Sequence, residues 1–167
     1  MSPSWSVEVR GYRSPDDASA TFQTFRAAVT RTASADYAPE QIAAWAGPET
    51  THLLAWDARR AAATTLVAET DGRVVGFTDL LEDGLVDMLF VPPDAGGRGV
   101  ARLLVERIRQ EARRRGLERL HTHASRTARP VLEHLGFRVV AERPDNRVRG
   151  QVVPNTAMAC DLSPDDR

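Results

Sequence analysis

Lysine is absent: the twenty-two basic residues of this 167-residue chain are all arginine. Chemistry that needs a lysine amine, whether a Schiff base, a phosphate-loop lysine or a lysine general base, is therefore excluded. Cysteine is limited to Cys160, so neither an internal disulfide nor a thiolate metal cluster can form; the residue suits a reducing compartment and reads as a small buried strand position. Long apolar runs are missing too. None approaches the roughly 20 residues of a membrane span, and no basic patch followed by an apolar stretch opens the sequence. Twenty-three acidic residues nearly balance the arginines, for a net charge of −1, which leaves no global field to draw in nucleic acid. The run Arg107, Arg109, Arg113, Arg114 and Arg115 reads as one solvated helix face. The expectation is a cytoplasmic chain with neither a membrane nor a nucleic-acid partner.

The length allows one sizeable core, read as a single domain over 1–162 with a flexible tail over 163–167. Alternation over Ser6 to Tyr12 predicts a first strand. Ser14-Pro15-Asp16-Asp17 opens a helix to about Arg31 with an apolar stripe of Phe22, Phe25, Ala28 and Val29. A second helix opens at Tyr37-Ala38-Pro39-Glu40 and carries Ile42 and Trp45, and a third spans roughly Thr51 to Ala61. The pattern then changes to a meander: Thr65 to Thr70, a turn at Asp71-Gly72, Val74 to Leu81, a turn at Glu82-Asp83-Gly84, and Leu85 to Val91. A strongly periodic helix follows, with Val100, Leu103, Leu104, Ile108 and Ala112 on one face and its end near Gly116. Leu120 to Ala124 is a strand, Thr127 to Leu135 a helix, and Phe137 to Glu142 and Gln151 to Cys160 the last strands. The fold class is α/β, a mixed, mostly antiparallel central sheet with helices on both faces.

Three glycines, Gly96, Gly97 and Gly99, sit between strand Leu85 to Val91 and the long helix. The first turn of a helix presents unpartnered N–H groups and partial positive charge, and glycine lets a pyrophosphate approach them. A phosphate loop would need Gly-Lys-Ser/Thr, which is absent, and a dinucleotide fingerprint would need Gly or Ala where Arg102 stands.

The stretch Asp87-Met88-Leu89-Phe90-Val91-Pro92-Pro93 through Gly97-Arg98-Gly99-Val100-Ala101 resembles motif A of the GNAT N-acetyltransferase superfamily. Ala128-Arg129-Pro130-Val131-Leu132-Glu133-His134-Leu135-Gly136-Phe137 resembles its downstream helix and Leu-Gly-Phe ending, and the order of elements is similar from Val7 to Leu162. The resemblance implies acetyl-CoA as co-substrate, no metal, and a sheet splayed at the acetyl-CoA site. It implies that the N–H groups of Gly97, Arg98, Gly99, Val100 and Ala101 hold the pyrophosphate, that the edge Leu89, Phe90 and Val91 pairs with the pantetheine arm, and that a bulge aims the Leu89 N–H at the thioester oxygen. Arg102 is the arginine placed to meet the 3′-phosphate. Two positions depart from the family pattern. Gly96 stands where Gln or Arg is usual, and Leu132 stands where a tyrosine often protonates the departing thiolate.

Candidates for the base are Asp87, beside motif A, and His123, which shares a sheet face with His121 and titrates near neutrality. Asp79 and Glu82 on the preceding hairpin are further candidates. Tyr37, Trp45 and Asn155 are the expected substrate contacts, with core packing the alternative for the aromatic pair. The function expected is acetyl transfer to a primary amine of a small molecule or peptide by direct attack in a ternary complex. The alternative is a non-catalytic CoA-binding or small-molecule-sequestering protein, suggested by Leu132. Assembly is left open, with a homodimer through exposed strand edges as the candidate.

Overall fold

The structure is a computed structural model that describes residues 5–49 and 52–163; Thr51 and residues 164–167 of the expected tail lie outside them. Strand β1 (Glu8–Gly11) leads to helix α1 (Ala18–Ala27), then helices α2 (Pro39–Ala46) and α3 (Leu53–Ala62). Strands β2 (Thr64–Thr70) and β3 (Arg73–Leu80) form the expected hairpin. The expected third member, Leu85 to Val91, is not one strand. It is β4 (Leu85–Val86) and β5 (Leu89–Phe90), and the two belong to different sheets. Helix α4 (Val100–Arg114), β6 (Arg119–Ala124), α5 (Arg129–His134) and β7 (Arg138–Arg143) follow, then a small hairpin of β8 (Arg147–Val148) and β9 (Gln151–Val152), and finally β10 (Asn155–Asp161). Pro154 separates β9 from β10, so the run Gln151 to Cys160 is two strands, as a residue without an N–H to donate dictates.

One sheet has the order β1-β2-β3-β5 and the other β4-β6-β10-β7. Every pairing is antiparallel except β4 with β6, joined through Leu85↔His121 and Val86↔Thr122. Helices cover both faces. One core packs α4 against the sheets through Val100, Leu104, Val105, Ile108, Leu120 and Met158. Val105 takes the place expected for Leu103, which is 41% exposed: positions 103 and 105 flank the 100/104/108 row on opposite sides, and the tilt of the helix on the sheet selects 105. A Cβ on Gly76 of β3 would lie 2.9 Å from Val100 Cγ1 and 3.1 Å from Leu104 Cδ1, so glycine is what lets α4 settle this closely. The opposite core joins α1 to α3 with Val67 and Phe77. The stripe Phe22, Phe25, Ala28 and Val29 is buried as expected. The α-helix, however, stops at Ala27, and residues Ala28–Thr32 wind on as a π-helical turn, a local widening often found at functional sites.

Candidate functional site

The site is built on the break between β4 and β5, which side chains from both sheets hold open. On the β6 side, the Thr122 hydroxyl donates to the Val86 carbonyl at 2.7 Å. On the β3 side, Asp79 Oδ1 accepts from the N–H groups of Asp87 at 3.0 Å and Met88 at 2.8 Å. The Met88 carbonyl accepts from the Asp79 N–H at 3.1 Å and the Thr78 hydroxyl at 2.7 Å. The polar groups of Met88 thus face β3. Alternation along an extended strand turns those of Leu89 the other way, into the gap between the sheets.

Asp79 is 0% exposed, and Arg60, at 4%, faces its Oδ2 at 3.5 Å. That distance is an ion pair without a hydrogen bond: Asp79 Oδ2 and Arg60 Nε and Nη1 are buried without hydrogen-bond partners. Burial pushes the Asp79 carboxyl up to about 6 against the opposing pull of Arg60 and of its backbone donors. Burial likewise holds the Arg60 guanidinium below its ordinary value. Both directions say that the pair does not fully repay its desolvation.

Three cavities run in series past this break, the middle one sharing lining residues with each of the others. A groove of about 840 Å³ runs over the mouth of α4, lined by Val91, Gly97, Gly99, Val100, Ala101 and Arg102 together with Arg31 and Thr32 of the π-helical turn. Gly97 and Gly99 have φ of +70° and +80°, and a Cβ on either would meet nothing within 4 Å; they leave an open cradle above the helix N–H groups that a pyrophosphate fits. The Arg98 guanidinium is not part of the lining. It stacks on Trp5 at 4.2 Å, which leaves only its backbone for the cradle. A narrower channel of about 150 Å³ passes Leu89, Phe90, Val91, Ala101, Val131 and Leu132. Leu132, 4% exposed, packs in the core there, so the wall where the family tyrosine is usual is apolar.

The channel shares Trp45, Phe90 and Ser125 with a third cavity of about 390 Å³. Its floor is aromatic: Phe25 meets Phe90 edge-on at 5.0 Å, Phe22 meets Trp56 at 5.3 Å, and Tyr37 meets Trp45 at 5.7 Å. Asp87, His123, Asn146 and Asn155 also line it, with Arg59, Arg60, Arg143 and Arg149. Burial first, then the charges of Arg143 and His121, hold His123 below its ordinary value, so the ring is neutral at pH 7 and able to take a proton. Tyr37 contributes its ring only, since its hydroxyl donates to the Pro154 carbonyl at 2.6 Å and accepts from the Arg126 N–H at 2.9 Å.

The structure therefore brings together Asp87, His123, Trp45, Tyr37 and Asn155 at one cavity and the motif A residues at the adjoining two. His121 is elsewhere, with Nε2 3.3 Å from the Asp83 carbonyl oxygen, and Glu82 lines a separate pocket beside Arg115. Asp79, a candidate base from sequence, is instead the clamp of the strand break. Its signal was a carboxylate in a strand run, Val74 to Leu81, that carries no other charge. Arg59, Arg60, Arg143 and Arg149 carried no local signal. Among the described residues, no group of three or more His, Cys, Asp or Glu side chains is placed to hold a metal ion.

A family model described as an acetyltransferase (GNAT) domain matches residues 33–162. The chain is 35% identical over 139 residues to the uncharacterized N-acetyltransferase YafP of Escherichia coli (strain K12), covering 83% of this chain and 85% of that protein. Among solved structures, a GCN5-related N-acetyltransferase from Rhodopseudomonas palustris is similar with a TM-score of 0.87 and 31% identity, over 93% of this chain and 95% of that one. YncA of Salmonella typhimurium, solved with its cofactor acetyl-CoA, is similar with a TM-score of 0.70 and 26% identity, over 97% and 99%.

Proposed function

The chain belongs to the GNAT acetyltransferase family and is an acyltransferase; on that footing we propose that it transfers an acetyl group from acetyl-CoA to a primary amine of a small molecule or peptide, by direct attack in a ternary complex. Acetyl-CoA supplies the acyl group as a thioester: the amine nitrogen bonds to the carbonyl carbon, the carbon–sulfur bond breaks, sulfur leaves with the bonding pair, and the amine gives up a proton. The observation that carries this reading is the continuity of the three cavities at the β4/β5 break. Polyphosphate suits the cradle over Gly97, Gly99, Val100 and Ala101, a slender apolar arm suits the channel past Leu89 to Val91, and an amine suits the aromatic cavity. Arg102, on the groove wall, is the residue for the 3′-phosphate.

The Leu89 N–H, turned into the gap, stands where negative charge builds on the carbonyl oxygen; such preoriented donors are worth about 10²- to 10³-fold in rate. His123 or Asp87 takes the amine proton, and His123 is the better placed because it is neutral at working pH. With Leu132 offering no donor, sulfur leaves as thiolate. Thiols ionise near pKa ~8.5, so the loss of a dedicated acid is minor beside the cost of deprotonating an amine of pKa ~10.4, about 4 to 5 kcal/mol at pH 7. A buried lone Cys160 is in keeping with the cytoplasm as its compartment.

Calorimetric titration with acetyl-CoA tests the cradle. The wild type binds saturably, Gly99→Ala loses only what the strain of a side chain at φ +80° costs, because its Cβ enters open space, and Gly99→Trp, with the same backbone strain, loses about 100-fold or more by filling the groove. Equal affinity in the tryptophan variant, or no binding by a folded wild type, sinks the assignment. CoA release with an amine panel then reads turnover.

A further inference from the structure

The third cavity has an unusual charge pattern for a site that receives an amine. Four guanidinium groups, Arg59, Arg60, Arg143 and Arg149, line it against one carboxylate, Asp87. Elsewhere the chain often neutralises its arginines. Arg10 meets both Asp17 and Glu69, Arg129 meets Glu133 and Glu142, and Arg119 and Arg138 share Asp161. At the cavity only Arg60 has such a partner, Asp79 at 3.5 Å. Among the described residues, Arg59, Arg143 and Arg149 have no carboxylate within ion-pair distance.

All three are nevertheless held by neutral acceptors, Arg59 the most weakly, through Nε to the Ala55 carbonyl at 3.4 Å. Arg143 Nη1 donates to Asn155 Oδ1 at 3.0 Å. Arg149 Nη1 donates to the Ala44 carbonyl at 2.7 Å and to that of Trp45 at 3.3 Å. The Arg149 guanidinium lies so close over Gly47 that a Cβ there would sit 2.7 Å from its central carbon. The Arg149 backbone has φ of +46°, a conformation uncommon for a residue with a side chain and sustained only where the surroundings impose it. A guanidinium carries five N–H donors in a rigid fork, so one or two bonds to neutral oxygens fix its direction and leave donors over. The charge is also felt: Arg143 is among the causes that hold His123 low.

We propose that the acceptor of this acetyltransferase is an amine that also bears a carboxylate on an aromatic or bulky apolar body, with Arg143 and Arg149 binding the carboxylate. The aromatic floor of Phe25, Trp45, Trp56 and Phe90 takes the apolar body. Polyamines and other purely cationic amines meet the same arginines as like charges and are poor acceptors. The word acceptor rests on the acetyltransferase reading above; the carboxylate preference of the cavity does not.

The test separates the two. Binding is followed on the full chain, with and without CoA, by the fluorescence of Trp45 and Trp56, using N-acetyl-L-phenylalanine and N-acetyl-L-phenylalaninamide, which differ only in carboxylate against carboxamide. The acid binds about 10- to 100-fold more tightly than the amide, as charge-assisted bonds require. The preference falls to within about threefold in the Arg143→Gln/Arg149→Gln variant and persists in Arg107→Gln, a change on the exposed face of α4. Arg143→Lys/Arg149→Lys, which keeps charge but loses the fork, retains part of it. Equal binding of acid and amide, an undiminished preference in the glutamine variant, or no binding of either ligand to the folded protein overturns the proposal. A clear acid preference in a protein that fails to bind acetyl-CoA leaves the cavity assignment standing and defeats the acetyltransferase reading instead.

Discussion

Replacing Asp79 by alanine and by asparagine should have unlike consequences, and the reason lies in which of its two oxygens is used. Oδ1 accepts from the Asp87 and Met88 N–H groups, while Oδ2 has no hydrogen bond and only the 3.5 Å approach of Arg60. Alanine orphans the Asp87 and Met88 N–H groups that Oδ1 accepts from. At about 1 to 3 kcal/mol per unsatisfied buried group, the loss for two is about 2 to 6 kcal/mol where water does not replace the acceptor, or a melting temperature lower by about 4 to 24 °C for a chain of this size. Asparagine keeps the Oδ1 acceptor and so escapes that loss, while both variants leave the buried Arg60 guanidinium without its carboxylate; the difference between alanine and asparagine therefore isolates the Oδ1 bonds, and the charge that asparagine removes is one that burial already disfavours, since the carboxyl is pushed up to about 6. The pH dependence has a definite sign. A carboxyl whose folded pKa lies above its unfolded value of about 3.9 contributes stability that is complete below pH 4 and lost as pH rises through about 6. Wild type therefore loses ground to the asparagine variant between pH 4 and 6. Denaturant melts of the three proteins at pH 4.5 and 7 read this directly. Equal losses for alanine and asparagine, or a wild type that gains on the asparagine variant over that interval, refute the assignment of Oδ1 as the clamp.

Two further outcomes follow from the same geometry. His123→Gln lowers kcat/KM for the acceptor by about 10²- to 10⁴-fold if the ring is the base. In wild type the acid limb of the profile lies below pH 6.5, because burial and Arg143 depress the His123 value; a limb unchanged in the variant assigns the proton to Asp87. Tyr37→Phe leaves the Arg126 N–H without its acceptor and the Pro154 carbonyl without its donor. It should cost about 1 to 3 kcal/mol of stability in denaturant melts while leaving acetyl-CoA affinity unaltered, and a variant as stable as wild type contradicts that role.

Much of this site was legible because it is local. The glycines at the mouth of α4 and the Leu89 to Val91 edge lie within a single stretch whose order alone places them around a helix N-terminus, and Leu132 lies in a second local motif on α5. The alternation of β2 and β3 and the spacing of α1 were equally readable, since each depends on which face is buried. What could not be read depended on pairing at a distance. A β-type run from Leu85 to Val91 does not say that its first half joins β6 and its second half β3; that is decided by Asp79, Thr78 and Thr122, each from another strand. The choice of Val105 over Leu103 depends on how α4 lies across β3, and on Gly76 beneath it. Arg59, Arg143 and Arg149 come from α3, the end of β7 and the β8–β9 turn, so no local pattern could announce that they share a cavity.

The arginines also bear on the hardest step of the reaction. A free ammonium must lose a proton at about 4 to 5 kcal/mol at pH 7 before it can attack, and one base such as His123 covers only part of the barrier. A unit positive charge ~6 Å away, at an effective dielectric of ~20, destabilises an ammonium by about 3 kcal/mol, so a cavity rich in guanidinium makes the neutral amine easier to reach. The same field would keep a simple cationic amine out. A carboxylate on the proposed acceptor resolves this opposition: its attraction to Arg143 and Arg149 draws the molecule in, and binding energy from that remote group offsets the repulsion that favours proton loss. On this account the carboxylate acts on the rate as well as on affinity. A truncated acceptor that lacks it should lose kcat along with KM, whereas an acceptor pocket that merely anchors its ligand would show the loss in KM alone.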